Sequence, residues 1–233
     1  MLYFAFKQRM KYELYTFFTL ISLFSVSCRK NTIEIVADSS SSYFPMEVGH
    51  TWVYKMDSIH YYGGGLPVDT FHYQTQHSIV EKFIDNSGNT AYRVEISYRK
   101  DSVSPWKFSR NYQLKRENNN IIRIDFDITE VVAKLPVTNE KVWDGNELNA
   151  LGNSDFFYLN AHETAAYGGM AYDSTVSIHQ EERMNLIENF TGLEVYASHT
   201  GLIYREKYAL KDIHDPQKTS GYIYHYTLVS FEK

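Results

Sequence analysis

Apolar and polar residues alternate with a period of two along most of the chain. In residues 90–99 the apolar positions are Tyr92, Val94, Ile96 and Tyr98, and polar side chains separate them. This alternation is typical of a strand with one buried and one solvent-exposed face. Four further runs show the same pattern: 106–114, 120–126, 201–210 and 221–231.

The apolar members of each run predict its buried face. In residues 106–114 that face is interrupted only by Arg110. The predicted buried residues of the four runs are Trp106, Phe108, Tyr112 and Leu114; Ile122, Ile124 and Phe126; Leu202, Tyr204, Tyr208 and Leu210; and Tyr222, Tyr224, Tyr226 and Leu228.

Short turn sequences separate neighbouring runs. The segments "YGGG" at 62–65, "DNSGN" at 85–89 and "ENNN" at 117–120 are typical of hairpin turns and looser loops. The sequence therefore predicts a mainly β single domain, with a curved antiparallel sheet half or fully closed into a barrel. A two-sheet sandwich is the alternative, and helices should be short at most.

One segment lacks the alternation. Between Leu135 and Met170 the pattern fades, and an irregular stretch of that length is often functional or mobile. Any helix is expected there or between His179 and Phe190.

The N-terminus has the features of an export signal. Residues 1–27 combine a basic start with an apolar run from Tyr15 to Val26, which is shorter than the ~20 residues that span a bilayer. Met10 is an alternative start to Met1. Residues 1–27 are therefore interpreted as a signal peptide.

Cys28 directly follows this segment and is the only cysteine of the chain. The stretch "LFSVSC" resembles a bacterial lipobox, although Ser25 stands where a leucine-like residue is usual. The resemblance implies a lipid on Cys28 that holds the protein to a membrane; an ordinary secretory signal is the alternative. Residues 28–42 then form a polar, flexible tether, and residues 43–233 form the β domain.

The segment from Tyr43 to Ile59 resembles lipoproteins of Bacteroidota-type bacteria. These share a Tyr-Phe-Pro-x-x-x-Gly-x-x-Trp-x-Tyr pattern after the tether, and Val142–Asn149 and Glu194–Tyr208 resemble their later segments. The resemblance implies no activity. Because no acidic residue follows Cys28 before Glu34, it implies an outer-membrane protein that faces the periplasm, with surface exposure as the alternative.

Charge and composition narrow the function classes. Without residues 1–27 the chain has 20 basic and 27 acidic residues, a net charge of −7, which argues against nucleic acid as a partner. A single cysteine excludes an internal disulfide and a cysteine-built metal site. No cofactor is expected.

Signals for catalysis or metal binding are weak. His162-Glu163 begins like a helical zinc-protease motif, but Ala166 occupies the position of the second histidine. His72 and His77 lie five residues apart on one predicted strand, so they should point to opposite faces. Of the two, His77 is expected to be a hydrogen-bonded core residue.

The acidic residues Asp144, Asp155 and Glu163 fall in the segment without alternation, which is close to what chance predicts for so acidic a chain. We therefore expect no catalytic residues. A hydrolase acting on an envelope polymer is the least favoured of the functions considered.

Aromatic residues make up 16% of the chain and give the best functional signal. The candidates for lining a ligand site are Trp52, Tyr54, Trp106 and Trp143, and the simpler interpretation is that they fill the core. The favoured function is a non-catalytic scaffold or accessory subunit with an envelope protein as partner. The alternative is a module that binds an amphiphile or a glycan in an aromatic concavity.

Overall fold

The computed structural model describes residues 39–233, except for the side chains of residues 39, 181 and 182. The predicted signal peptide, Cys28 and the tether as far as residue 38 lie outside the described residues. Within residues 39–233, no helix has the length and apolar character needed to cross a bilayer.

Twelve antiparallel strands form one sheet in the order β6-β5-β4-β3-β2-β1-β12-β11-β10-β9-β8-β7. The predicted mainly β, curved antiparallel sheet is confirmed, and a two-sheet sandwich is not formed. The strands are β1 Thr51–Tyr62, β2 Asp69–Ile84, β3 Thr90–Arg99, β4 Lys107–Glu117, β5 Asn120–Asp125, β6 Ile128–Lys134, β7 Val142–Asp144, β8 Asp155–Tyr167, β9 Met170–Met184, β10 Asn189–Ala197, β11 Gly201–Lys211 and β12 Ser220–Glu232.

The sheet curls until its two outermost strands approach each other. Val131 on β6 donates its backbone N–H to the carbonyl of Gly145, the residue after β7, at 2.9 Å. The indole Nε1 of Trp143 on β7 also donates to the carbonyl of Val131 at 2.8 Å. These bonds nearly close the sheet into a barrel.

Residues 39–50 close one end of the barrel, which we call the sealed end. This segment begins with a 3-10 helix, Ser39–Tyr43, and Phe44 then packs against Tyr196 with ring centroids 4.7 Å apart. The hydroxyl of Ser40 is buried and accepts a hydrogen bond from the backbone N–H of Val137. The last four residues of the predicted tether, 39–42, are thus part of the folded domain.

The opposite end, which we call the open end, carries every loop that leads from an odd-numbered to the next even-numbered strand. This follows from the antiparallel order, because successive turns alternate between the two ends. Several of these loops expose large apolar side chains, namely Leu66, Val103, Phe126, Leu151 and Leu186.

The segment from Leu135 to Met170 is more regular than predicted, since it contains β7 and the 13-residue strand β8. The expectation of short helices at most is confirmed, but among the described residues the one helical element, the 3-10 helix Ser39–Tyr43, lies outside both segments where a helix was placed. Residues 179–190 instead form the end of β9, a turn and the start of β10. Glu and Arg favour helices, but strand partners on both sides of β9 override this propensity.

The buried face was predicted correctly for β3 and β12 and wrongly for β11. Arg205 on β11 pairs with Tyr226 and Glu194, so its side chain points into the barrel. Tyr204 points outward and packs against Tyr167, at the tip of the β8–β9 hairpin, with ring centroids 5.1 Å apart. The sequence pattern around Tyr204 therefore predicted a core face, although this tyrosine belongs to an outer layer of aromatic residues.

A bulge changes the predicted face of β4. Ile96 pairs with Arg110, but its neighbour Ser97 pairs with Phe108, so one extra residue lies between the two pairs. Such a bulge moves the residues beyond it to the opposite face. Phe108 is consequently exposed, and Arg110 occupies an interior position.

Candidate functional site

Charged residues cross the interior of the barrel at mid-height. The carboxylate of Glu194 on β10 is 2% exposed and lies 3.1 Å from Arg123 Nη1 and 2.8 Å from Arg205 Nη2. Its second oxygen accepts a hydrogen bond from the hydroxyl of Tyr196. Arg123 also forms an ion pair with Glu130. We call Arg123, Glu130, Glu194 and Arg205 the charge layer.

The two arginines hold Glu194 in its ionised form. Burial alone would raise the pKa of this carboxyl, but the guanidinium groups of Arg123 and Arg205 and the hydrogen bond from Tyr196 outweigh burial and lower the pKa to about 2. The layer therefore links β5, β10 and β11 through charges that stay fixed at physiological pH.

A group of aromatic rings surrounds His77 next to the charge layer. The imidazole lies 5.2 Å from the ring of Tyr54 and 6.0 Å from those of Tyr112 and Tyr226. His77 is buried, as predicted, but its Nε2 has no hydrogen-bond partner, which differs from the predicted hydrogen-bonded core histidine.

The environment of His77 is unfavourable to positive charge. Burial lowers its pKa most, and the guanidinium groups of Arg205, Arg110 and Arg123 lower it further, to about 3. His77 is therefore neutral at physiological pH. All three arginines contribute in the same direction, so each adds positive potential at this point of the interior.

Above the charge layer, a pocket of about 730 Å³ opens at the open end. Its lining combines aromatic and aliphatic residues with the polar residues Thr70, His72, Thr75, Lys100, Ser109 and Arg110, of which Lys100 and Arg110 carry permanent charges. None of the described residues that line it is Asp or Glu. Thr75, which is 3% exposed, lines the pocket, and its hydroxyl is buried without a hydrogen-bond partner. The aromatic and apolar lining residues are Phe71, Tyr73, Ile96, Tyr98 and Tyr226.

A second, smaller cavity lies between the charge layer and the sealed end. It measures about 70 Å³ and is lined by residues that include Phe44, Trp52, Tyr54 and Tyr196. Such a volume holds a few water molecules at most. Of the two spaces, the pocket at the open end is the one large enough for an organic ligand.

Comparison with known proteins gives distant structural similarity. No protein-family model matches the chain, and no curated protein matches its sequence. Solved structures that are similar include a protein described as exported, with a YmcC-like fold, from Bacteroides fragilis: 10% identity, TM-score 0.45, covering 82% of this chain and 98% of that chain. A protein described as a lipoprotein, from Parabacteroides distasonis, gives 12% identity, a TM-score of 0.43 and the same coverage.

The structure separates the four aromatic residues predicted to line a ligand site. Trp52 and Tyr54 line the smaller cavity and donate hydrogen bonds to the carbonyls of Thr200 and Leu202. Trp143 packs in the apolar core beside Tyr158. Trp106 lies under the guanidinium of Arg99, 4.2 Å from its ring centroid. None of the four lines the larger pocket.

The remaining candidates lie apart. His162 Nδ1 and the hydroxyl of Tyr43 share a hydrogen bond at the sealed end. Asp144 on β7 pairs with Asp155 at the start of β8. His72 pairs with Asp57 and His77 with Trp52, which confirms that the two histidines point to opposite faces. Within the described part of the chain, no group of three or more His, Cys, Asp or Glu side chains could hold a metal ion.

Sequence reasoning missed the charged and hydroxyl groups of the interior. Arg110 left one signal, since it interrupts an otherwise apolar face. Arg123 and Arg205 alternate with Ile and Tyr side chains that predicted the opposite face as the buried one, and no buried face was predicted for the strand that contains Glu194. Thr75 lies in β2, which contains many polar residues, so the sequence did not distinguish it from its polar neighbours.

Proposed function

We propose that this protein is a membrane-anchored lipoprotein of the cell envelope whose barrel binds an amphiphile at its open end. The observation that carries the proposal is the pocket of about 730 Å³, which combines aromatic walls with two cationic side chains. Ligand pockets of proteins are typically ~300–1,000 Å³, mostly apolar, and contain a few placed polar groups.

The pocket differs from an ordinary gap between strands. Thr75 lines it with a buried hydroxyl that has no partner, and its rim carries the exposed Tyr98 and Phe71. Other buried polar atoms without a partner, such as His50 Nδ1 and Gln180 Nε2, belong to residues that do not line the pocket, so the support for a ligand comes from the volume and the lining of the pocket rather than from this hydroxyl. A scaffold that acted only through its outer surface would not need this arrangement.

The walls favour an amphiphile over a glycan. Tyr73, Ile96 and Tyr226 form part of an apolar region of the lining, and polar residues that include Lys100 and Arg110 form the rest, as an amphiphile with a polar head and an apolar chain requires. A glycan carries hydroxyl groups along its whole length and needs hydrogen-bond partners along its whole length. Glycan binding is the alternative result of the test below.

The test of the binding function is native mass spectrometry. Residues 29–233 would be exported to the periplasm of the native cells behind an ordinary cleavable signal peptide and recovered without detergent. We expect a discrete excess mass that is lost on denaturation and matches an amphiphile. A carbohydrate mass would indicate the glycan alternative, and a bare polypeptide would favour a scaffold and contradict the proposal.

The envelope location is supported by the lipobox-like segment ending at Cys28 and by the resemblance to Bacteroidota-type lipoproteins. We propose that lipid on Cys28 holds the protein to the outer membrane, facing the periplasm. Cys28→Ala is then expected to move the protein from the membrane fraction to the soluble fraction. Tight retention of the variant in membranes would contradict lipid anchoring.

A further inference from the structure

We infer that the ligand is an anionic amphiphile whose carboxylate or phosphate head group binds to Arg110 beside Thr75, inside the barrel. Its apolar chain then lies between the aromatic side chains that lead to the opening. This inference rests on the proposed binding function and specifies the ligand class.

The charges of the pocket support an anionic head group. Lys100 and Arg110 are its charged lining residues, and neither Asp nor Glu lines it. The guanidinium of Arg110 is paired with Asp125 through Nη1 and lies over the ring of Phe126, 4.8 Å from its centroid. A guanidinium has five N–H donors, so this pairing leaves donors for the two oxygens of a head group.

Thr75 supplies a second donor at the floor of the pocket. Its neighbours in register are Tyr54 on β1 and Tyr98 on β3, so its side chain points into the barrel. The hydroxyl is buried without a partner. The Thr75 hydroxyl can donate to a carboxylate or phosphate oxygen, whereas a quaternary ammonium head group has neither an N–H nor a lone pair to offer it.

The apolar chain has a continuous path outward. From Thr75 the wall continues through Tyr73 and Tyr98 to Phe71, which is 45% exposed. The adjoining loops expose Val103 and Phe126. This sequence of charged floor and increasingly exposed apolar wall matches a ligand with a charged head and one alkyl chain.

Isothermal titration calorimetry on residues 29–233 tests the head-group preference. The probes are dodecanoate and dodecyl phosphate, with dodecanol and dodecyltrimethylammonium as uncharged and cationic controls, all below their micellar concentrations. We expect at least one anion to bind roughly tenfold or more tightly than both controls, as a charge-assisted hydrogen bond allows. The stronger of the two anions identifies a carboxylate or a phosphate ligand.

Variants locate the head group. Arg110→Gln and the isosteric Thr75→Val should each weaken anion binding, Arg110→Gln by roughly tenfold or more. Arg93→Gln is the matched control, because Arg93 pairs with Glu81 away from the pocket, and its binding should be unchanged. Unfolding curves of each variant establish that it is folded, and Arg110→Lys should retain part of the affinity.

The outcomes separate the two proposals. Equal binding of dodecanol and dodecanoate, or full affinity in folded Arg110→Gln and Thr75→Val, would overturn the anionic head group while leaving a binding function. A lack of binding by all four probes, together with a bare polypeptide mass from the native periplasm, would overturn the binding function itself.

Discussion

The sealed and open ends of the barrel use similar aromatic residues in different ways. At the sealed end, the polar tips of Tyr43, Trp143 and Tyr158 all find partners within the protein. Buried polar atoms without a partner occur at both levels, and they include His50 Nδ1 at the sealed end and Thr75 Oγ1 toward the open end. The two ends differ in their cover: residues 40–50 pack over the sealed end, whereas the open end has the pocket of about 730 Å³.

The charge layer separates the two ends. Glu194 lies between Arg123 and Arg205, with the apolar core on one side and the open pocket on the other. Its charges neutralise one another in part, so the layer costs less to bury than isolated ions would. This division predicts that the loss of stability is largest for substitutions on the sealed-end side of the layer, smaller for substitutions within it, and smallest for substitutions on the open-end side.

The largest loss of stability is expected below the layer, from Trp143→Ala. Trp143 is buried, packs on Tyr158 and donates a hydrogen bond to Val131 next to the barrel closure. Its removal should lower the free energy of unfolding by ~3–5 kcal/mol in urea titrations. The matched control is Trp106→Ala, which removes a half-buried tryptophan and should cost about 1 kcal/mol. Equal losses would contradict the difference between the two sites.

Glu194→Gln should destabilise almost as strongly, by ~3–5 kcal/mol at pH 7, because it leaves two guanidinium groups without their shared carboxylate. Glu147→Gln, which breaks the partly exposed pair with Lys134, should cost about 1 kcal/mol or less.

The effect of Glu194→Gln should also depend on pH. Glu194 has a lowered pKa in the folded state, about 2 against 4.5 as the ordinary value. Its contribution to stability is therefore complete above about pH 4.5 and lost as the pH falls toward 2. The difference between wild type and variant should shrink over this range, and a constant difference would argue against the ionised, paired carboxylate.

His77→Phe should change how the free energy of unfolding depends on pH, and it should leave the free energy of unfolding at pH 7 nearly unchanged. The unfolded chain takes up a proton on His77 near pH 6.5, whereas the folded chain does so only near pH 3. Stability is therefore lost as the pH falls below 6.5, by about 2 kcal/mol between pH 7 and pH 5. Urea titrations of the variant at pH 7 and pH 5 should not show this loss of stability. An NMR titration of the His77 ring with a midpoint near 6.5 would contradict the account.

The smallest effect on stability is expected at the open end, from Tyr98→Ala. Tyr98 is 42% exposed and lines the pocket, so its removal should cost about 1 kcal/mol or less in thermal or urea unfolding. The fully buried Tyr158 provides the comparison, since Tyr158→Ala should cost several times more. A large loss in Tyr98→Ala would show that the open end is structural.

Neighbouring strands show why the fold was easier to predict than the site. β11 and β12 both alternate tyrosines with polar residues, but β12 turns Tyr224 and Tyr226 inward, whereas β11 turns Tyr204 outward and Arg205 inward. Period-two alternation establishes a strand and its two faces without stating which face is inside. The tip of the β8–β9 hairpin covers the outer face near Tyr204, and only tertiary structure reveals that cover.

The site depends on features with no local sequence signal. The bulge opposite Ile96 and Ser97 turns Phe108 outward, and the ion pair of Arg123 with Glu194 joins residues 71 positions apart in sequence. The turns, by contrast, could be predicted, because Asp85 and Asn89 satisfy local backbone groups. The sequence therefore predicted strands and turns but not the contents of the barrel.

The central claim is that the open end binds an amphiphile, and photo-crosslinking tests it most directly. Residues 29–233 would be irradiated with a dodecanoate analogue that carries a diazirine in its chain, and the labelled residues identified by mass spectrometry. The account predicts labels on Phe71, Tyr73 and Tyr98 that excess dodecanoate prevents. Labels confined to the outer face around Tyr167 and Tyr204, or spread over the surface without competition, would contradict it.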